Sequence, residues 1–239
     1  MFILKNKLHF SILYFSILII DIIVKLGLDT IPFRFITKPL IVVSLVFFYW
    51  INNNEKSKRK FVFMVLALFF FLLGDIFLIF KDVSLLFSLG MLGFILGKLF
   101  FTFRFSNQND FKLVRLLPIV VFCFVYIFVV LNIIYDNLGG YFIPVLTYLF
   151  VAMLTLQFAY LRKSGVDAKS YLTVGIGILF SVVADSVAVL AQFYENNFFY
   201  DKVTVILFYG ISQYLIVMGI IEEKVKIDNS LYEDVSIEI

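Results

Sequence analysis

Two acidic residues stand in otherwise apolar surroundings: Asp75 in Phe71-Leu-Leu-Gly-Asp75-Ile-Phe and Asp185 in Ser181-Val-Val-Ala-Asp185-Ser. An ionised group at the centre of a membrane helix costs at least ~2.5–3.5 kcal/mol, so such groups mark functional positions by default. In a low dielectric a carboxyl keeps its proton more tightly, and a second carboxylate nearby strengthens that hold on one of the two. A facing pair of acids would therefore divide into a proton donor and a proton acceptor, the division that acid–base hydrolysis needs. The same residues also suit a proton or cation relay, and, with hydroxyl partners, a structural role. The residues themselves leave all three open.

Fewer chemical groups accompany them than a soluble enzyme would offer. Lys98 follows three glycines in Gly90-x-x-Gly93-x-x-x-Gly97-Lys98; glycines let helices approach closely, and the lysine either pairs with an aspartate or snorkels to the near interface. Tyr209 and Gln213 are four apart on one helix face, positioned to orient a ligand or to bond between helices. Asp21 and Lys25 have the same spacing and are expected to pair locally. A lone His9 and a lone Cys123 exclude a multi-histidine metal site and an intrachain disulfide. Phosphate-loop and nucleophile-elbow motifs are missing too, and neither metal nor cofactor is expected. The run Lys56-Ser-Lys58-Arg59-Lys60 suits topology and anionic lipid better than nucleic acid.

What must position these groups follows from composition. Of 239 residues 62% are hydrophobic and 15% charged, with mean hydropathy +1.03. Soluble domains run near 45–50% apolar and about 25% charged, so lipid must be the solvent for most of this chain. A membrane span needs about 20 apolar residues, and eight stretches qualify: 8–28, 36–51, 61–80, 84–103, 115–135, 142–162, 171–193 and 203–221. The first is too long for a signal-peptide core and lacks a small-residue cleavage site, so it is expected to be retained. Polar breaks between the spans are short. The expected architecture is an all-α integral membrane bundle of about eight helices, a single domain over 1–221 with a short tail over 222–239.

Lysines and arginines favour the cytoplasmic side of short loops. Fourteen fall on the side of the N-terminus and five on the other, with Lys98 inside a span. Both termini are therefore expected in the cytoplasm, as an even number of spans requires, which places the protein in the cell (inner) membrane. Spans two and six each open near a proline, Pro39 and Pro144, and spans three and seven each carry an aspartate. That echo suggests a parallel 4+4 repeat. Both aspartates sit about fourteen residues into their spans, or ~21 Å at 1.5 Å per residue, a matched depth from which they could face one another.

Four segments resemble the YhhN-like family, the bacterial relatives of animal lysoplasmalogenases: Thr37-Lys38-Pro39-Leu40, Leu73-Gly74-Asp75-Ile76-Phe77-Leu78, Gly177 to Ser186 with Ala188 and Phe193, and Tyr209 to Ile216. Family members often carry a histidine about two dozen residues after the Gly-Asp, where Gly97-Lys98 stands here. The resemblance implies hydrolysis of the vinyl ether bond of a lysoplasmalogen held within the bilayer. It makes Asp75 and Asp185 the catalytic acid and base, with Lys38, Lys98, Tyr209 and Gln213 toward the substrate. Membrane lipids are the expected partners; an ion-coupled carrier using the same aspartates is the alternative.

Overall fold

In a bilayer every backbone amide must find its partner within the chain, and a helix satisfies that locally. The computed structural model describes residues 2–27, 32–106, 113–195 and 197–224. After a single turn at Phe2–Lys5 the described residues form eight long helices. They are α1 (Lys7–Gly27), α2 (Arg34–Asn52), α3 (Lys58–Phe77), α4 (Ser84–Phe105), α5 (Leu113–Leu138), α6 (Phe142–Leu161), α7 (Ala168–Phe193) and α8 (Asp201–Ile221). Seven segments are long and apolar enough to cross a membrane, and the longest, Leu116–Ser164, takes in most of α5 and all of α6.

Local chemistry sets several boundaries. The Ser57 side chain caps α3 by accepting from the Lys60 amide, and Asp167 caps α7 by accepting from the Ser170 amide, each satisfying an amide that has no partner in the first turn. The polar break expected at Asp136–Gly140 is narrower in the structure. Helix α5 runs through Asp136 and Asn137 to Leu138, and the chain reverses over Gly139–Tyr141, with Gly139 at φ +48°, a conformation glycine adopts without steric penalty. Pro144 lies in the first turn of α6, where the missing amide hydrogen is not needed.

The distribution of side chains is inverted relative to a soluble protein. Leu8, Leu117, Phe124 and Phe128 are exposed, whereas Asp21, Asp75, Lys98, Arg104, Arg162, Asp185 and Gln213 are buried. Charges stay inside because lipid cannot solvate them. The Lys7 ammonium meets the Glu222 carboxylate at 2.6 Å, so the start of α1 and the end of α8 share one end of the bundle. The loop residues 107–112, including Lys112, and the tail 225–239, including Lys226, lie outside the described residues.

Helices α3 and α4 pack through glycine. A Cβ on Gly93 would lie 2.9 Å from the Gly74 Cα and N and 3.0 Å from the Phe70 carbonyl oxygen, all backbone atoms that cannot turn aside. Helices α7 and α8 repeat the device, with Gly177 against Ile216 and Gly219 against Val174. Because this close approach brings Asp75 and Lys98 to the interior, Gly93→Ala is expected to destabilise the bundle by about 1–3 kcal/mol through overpacking. Gly175→Ala, whose Cβ would meet nothing within 4 Å, should not. Thermal unfolding of the two variants in detergent checks the contrast.

Candidate functional site

Asp75 lies on α3 and Asp185 on α7, each 17 residues beyond the first residue of its helix. That is about 26 Å along the axis at 1.5 Å per residue, so the depths match as the sequence suggests. No hydrogen bond joins the two carboxyls. Each is instead enclosed by a lysine and a tyrosine. A sequence gives the depth of a residue on a helix but not the rotation that aims it.

Around Asp75, which is 1% exposed, the Tyr209 hydroxyl of α8 donates to Oδ2 at 2.8 Å. The Lys38 ammonium of α2 lies 3.1 Å from Oδ1, but its hydrogen bond goes to the Asp75 backbone carbonyl, also at 3.1 Å. Oδ1 is thus ion-paired yet has no hydrogen-bond donor. The Tyr209 ring packs on Phe94 and Phe71, with centroids 5.6 and 6.3 Å away. This apolar wall keeps the carboxyl in a low dielectric, where its pairing is strongest.

Around Asp185, the Lys98 ammonium of α4 donates to Oδ2 at 2.7 Å and to the Ser181 hydroxyl at 2.8 Å. The Tyr148 hydroxyl of α6 donates to Oδ1 at 2.5 Å. The same ammonium lies 5.7 Å from the centroid of the Tyr148 ring, a distance at which the ring face attracts a cation. Lys98 is 4% exposed, so it does not snorkel. It sits seven residues from the end of α4 at Phe105, roughly 10 Å along the axis, and the carboxylate is nearer than the interface. The two clusters are linked through Phe94, which packs on Tyr209 and precedes Lys98 by one turn.

Six groups therefore form two Lys–Asp–Tyr units. The sequence pattern of the YhhN family matches residues 33–220, a stretch that contains all six. The chain belongs to the YhhN family. No curated protein and no solved structure matches it.

In this YhhN-family chain, Gln213 stands apart from the two units and one sequence expectation changes. Gln213 is buried one turn beyond Tyr209, but its side-chain oxygen is unpaired and no hydrogen bond joins it to either aspartate. Asp21 does not pair with Lys25; it accepts from the Thr37 hydroxyl at 2.5 Å, with the Arg34 Nε at 4.0 Å. Helix α2 crosses the end of α1 there and supplies better-aimed partners than the same helix can. Tyr148, Ser181 and Arg34 were not singled out from the sequence. A signal for Tyr148 was present: Thr37-Lys38 and Thr147-Tyr148 stand 110 positions apart, as do Asp75 and Asp185. Lys98 and Tyr209 stand 111 apart, and the capping residues Ser57 and Asp167 again 110. The echo between Pro39 and Pro144 is out of this register by five.

Removing one member of a buried ion pair leaves the other uncompensated, at a cost of about 3–5 kcal/mol, whereas replacing both with apolar groups of similar size is nearly neutral. Lys98→Met alone should destabilise by that amount, and Lys98→Met with Asp185→Leu should recover most of the loss. A double-mutant cycle on unfolding in detergent measures the coupling.

Proposed function

We propose that this YhhN-family chain is a lysoplasmalogenase-like hydrolase of the cell (inner) membrane. In this reading a single domain over 1–221 crosses the bilayer eight times, both termini are cytoplasmic, and residues 222–239 form a short tail. The observation that carries it is the pair of Lys–Asp–Tyr units inside a bundle whose family is associated with this activity. The shared 110-residue register supports two parallel four-helix halves. Helix α4 of the first half completes the Asp185 unit, and helix α8 of the second completes the Asp75 unit.

The substrate is a lysophospholipid whose chain joins glycerol through a vinyl ether, with an ethanolamine or choline head group. A neutral acid delivers its proton to the alkene carbon away from the ether oxygen; the alkene electron pair forms the C–H bond and an oxocarbenium ion remains. The carboxylate left behind faces that cation, and a buried anion close to developing positive charge stabilises it strongly. Water adds to the cationic carbon while the second carboxylate takes up the released proton. The hemiacetal then collapses: its carbon–oxygen bond to glycerol breaks, a proton passes to the leaving oxygen, and a fatty aldehyde and a glycerophospho-base result. One water is consumed and no cofactor is required.

A lysine–aspartate pair is charge-neutral whether its proton lies on nitrogen or on oxygen, so moving the proton leaves no net buried charge. Since Lys38 and Lys98 are engaged by the aspartates, the head-group phosphate falls to Arg34 at the start of α2. Its Nε is buried without a hydrogen-bond partner, and its charge acts on Asp75.

Aldehyde release from a defined lysoplasmalogen by the purified protein tests this function. Asp75→Asn and Asp185→Asn are each expected to lower the rate by 10²-fold or more, the size of a lost acid–base group, with the fold kept by circular dichroism. A folded wild type that releases no aldehyde, yet moves protons or ions into liposomes, would be the carrier instead.

A further inference from the structure

At the end of the bundle where α1 begins and α8 ends, α4, α6 and α8 converge on a further charged centre, about 22 Å along α3 from Asp75 when measured from Lys60. A cavity there is lined by Lys60, Arg104, Phe105, Arg162, Val166 and Glu223 among others. Arg104 and Arg162 are each 2% exposed. Both guanidinium groups converge on a single atom, Glu223 Oε2, at 3.1 Å from Arg104 and 2.8 Å from Arg162. Arg104 also meets Glu55 at 2.5 Å, and Arg162 donates to the Ser170 hydroxyl at 3.1 Å.

This arrangement is under-filled on the acceptor side. Arg104 Nε and Arg162 Nη1 are buried with no hydrogen-bond partner, while one oxygen of Glu223 serves both cations. Lys60, Arg104 and Arg162 gather around Glu55 and Glu223, with Asp167 also acting on Arg162, yet the two guanidinium N–H groups still lack an acceptor. A planar guanidinium offers five N–H donors in a fixed fork that matches the oxygens of a phosphate. The Arg162 guanidinium lies 5.2 Å from the centroid of the Phe105 ring, which holds its plane. We propose that this centre is an oxyanion site for a phosphate group, and that Glu223 occupies it as an internal ligand until phosphate displaces it.

Glu223 is suited to that exchange. It is the second residue past α8, on a strap tied down by exposed or backbone contacts: Glu222 to Lys7 at 2.6 Å and to Lys169 at 2.8 Å, and the Lys224 amide to Asp167 at 2.8 Å. Exposed pairs of this kind contribute little, so the strap can lift without disturbing the helices. Burial pushes the Glu223 carboxyl upward, but Arg104, Arg162 and Lys60 outweigh it and hold the group below the ordinary carboxylate range. It is thus ionised at neutral pH and competes as an anion. The same phosphate chemistry is offered by an anionic lipid head group at this depth and by a soluble phosphate.

The test uses the full chain in detergent, with inorganic phosphate as the probe and chloride at matched ionic strength as the control. A ligand that binds the folded state raises its melting temperature. Glu223→Gln should melt lower than wild type without phosphate, gain more from phosphate, and bind it about ten-fold tighter or better, a difference near 1.4 kcal/mol. Lys60→Gln, a partly exposed position that leaves both arginines in place, should weaken the response in the Glu223→Gln background, and Arg162→Gln should remove it. A Glu223→Gln protein that loses stability and gains nothing from either free phosphate or phosphatidate nanodiscs makes Glu223 a structural clamp and overturns the site. Nanodiscs of phosphatidylcholine with and without phosphatidate separate the sources. Stabilisation by phosphatidate that free phosphate does not reproduce assigns a lipid head group, and equal stabilisation by free phosphate assigns a soluble ligand.

Discussion

A carboxylate inside a hydrocarbon solvent has to be matched by a cation, and most of this bundle is arranged to meet that requirement twice. Asp75 draws Lys38 from α2 and Tyr209 from α8; Asp185 draws Lys98 from α4 and Tyr148 from α6. Six of the eight long helices meet at these few atoms, three around each aspartate. The glycine seam between α3 and α4 serves the same end, because side chains at Gly74 and Gly93 would push the two backbones apart and carry Lys98 away from the interior. Helices α1 and α5 stand outside the two units and contribute neighbouring hydroxyls instead, Tyr14 to the Gly210 carbonyl and Tyr126 to Ser186.

In the proposed two-half arrangement each aspartate takes one partner from its own half and one from the other. Lysine and tyrosine trade places between the halves: Lys38 corresponds to Tyr148, and Lys98 to Tyr209. Each carboxylate is left with one cation and one neutral donor. Two lysines around one aspartate would bury an excess positive charge, and two tyrosines around the other would leave an anion unmatched, both expensive in low dielectric. The alternation keeps both units neutral while using only two helix positions.

Much of this was legible in the sequence, because apolar length and polar breaks are sufficient to delimit helices where the solvent is lipid. The aspartates were legible for the same reason: an acid is conspicuous where every neighbour is Leu, Phe or Val. What surrounds them was not. Tyr148 has the composition of an interfacial tyrosine, and only its 110-residue spacing from Lys38 sets it apart. Lys98 was compatible with snorkelling until the rotation of α4 aimed it at α7. Arg104 and Arg162 count as loop charges in a topology rule, yet the structure buries both against Glu223, a residue from the segment expected to be a tail. In each case a one-dimensional pattern fixes how deep a group lies, and packing decides what it touches.

The order in which the partners are synthesised has a further consequence. Lys38 precedes Asp75 by 37 residues, so the first aspartate meets its cation as soon as it leaves the ribosome. Lys98 precedes Asp185 by 87 residues. At translation rates of about 5–20 residues per second, that leaves an unneutralised ammonium for roughly 4–17 s. During that interval α4 has no counter-ion from the second half, and its ammonium adds up to ~2.5–3.5 kcal/mol to the cost of placing the helix in lipid. The Lys98–Asp185 contact that joins the two halves is therefore among the last that synthesis makes possible, whereas the Lys38–Asp75 contact becomes available early.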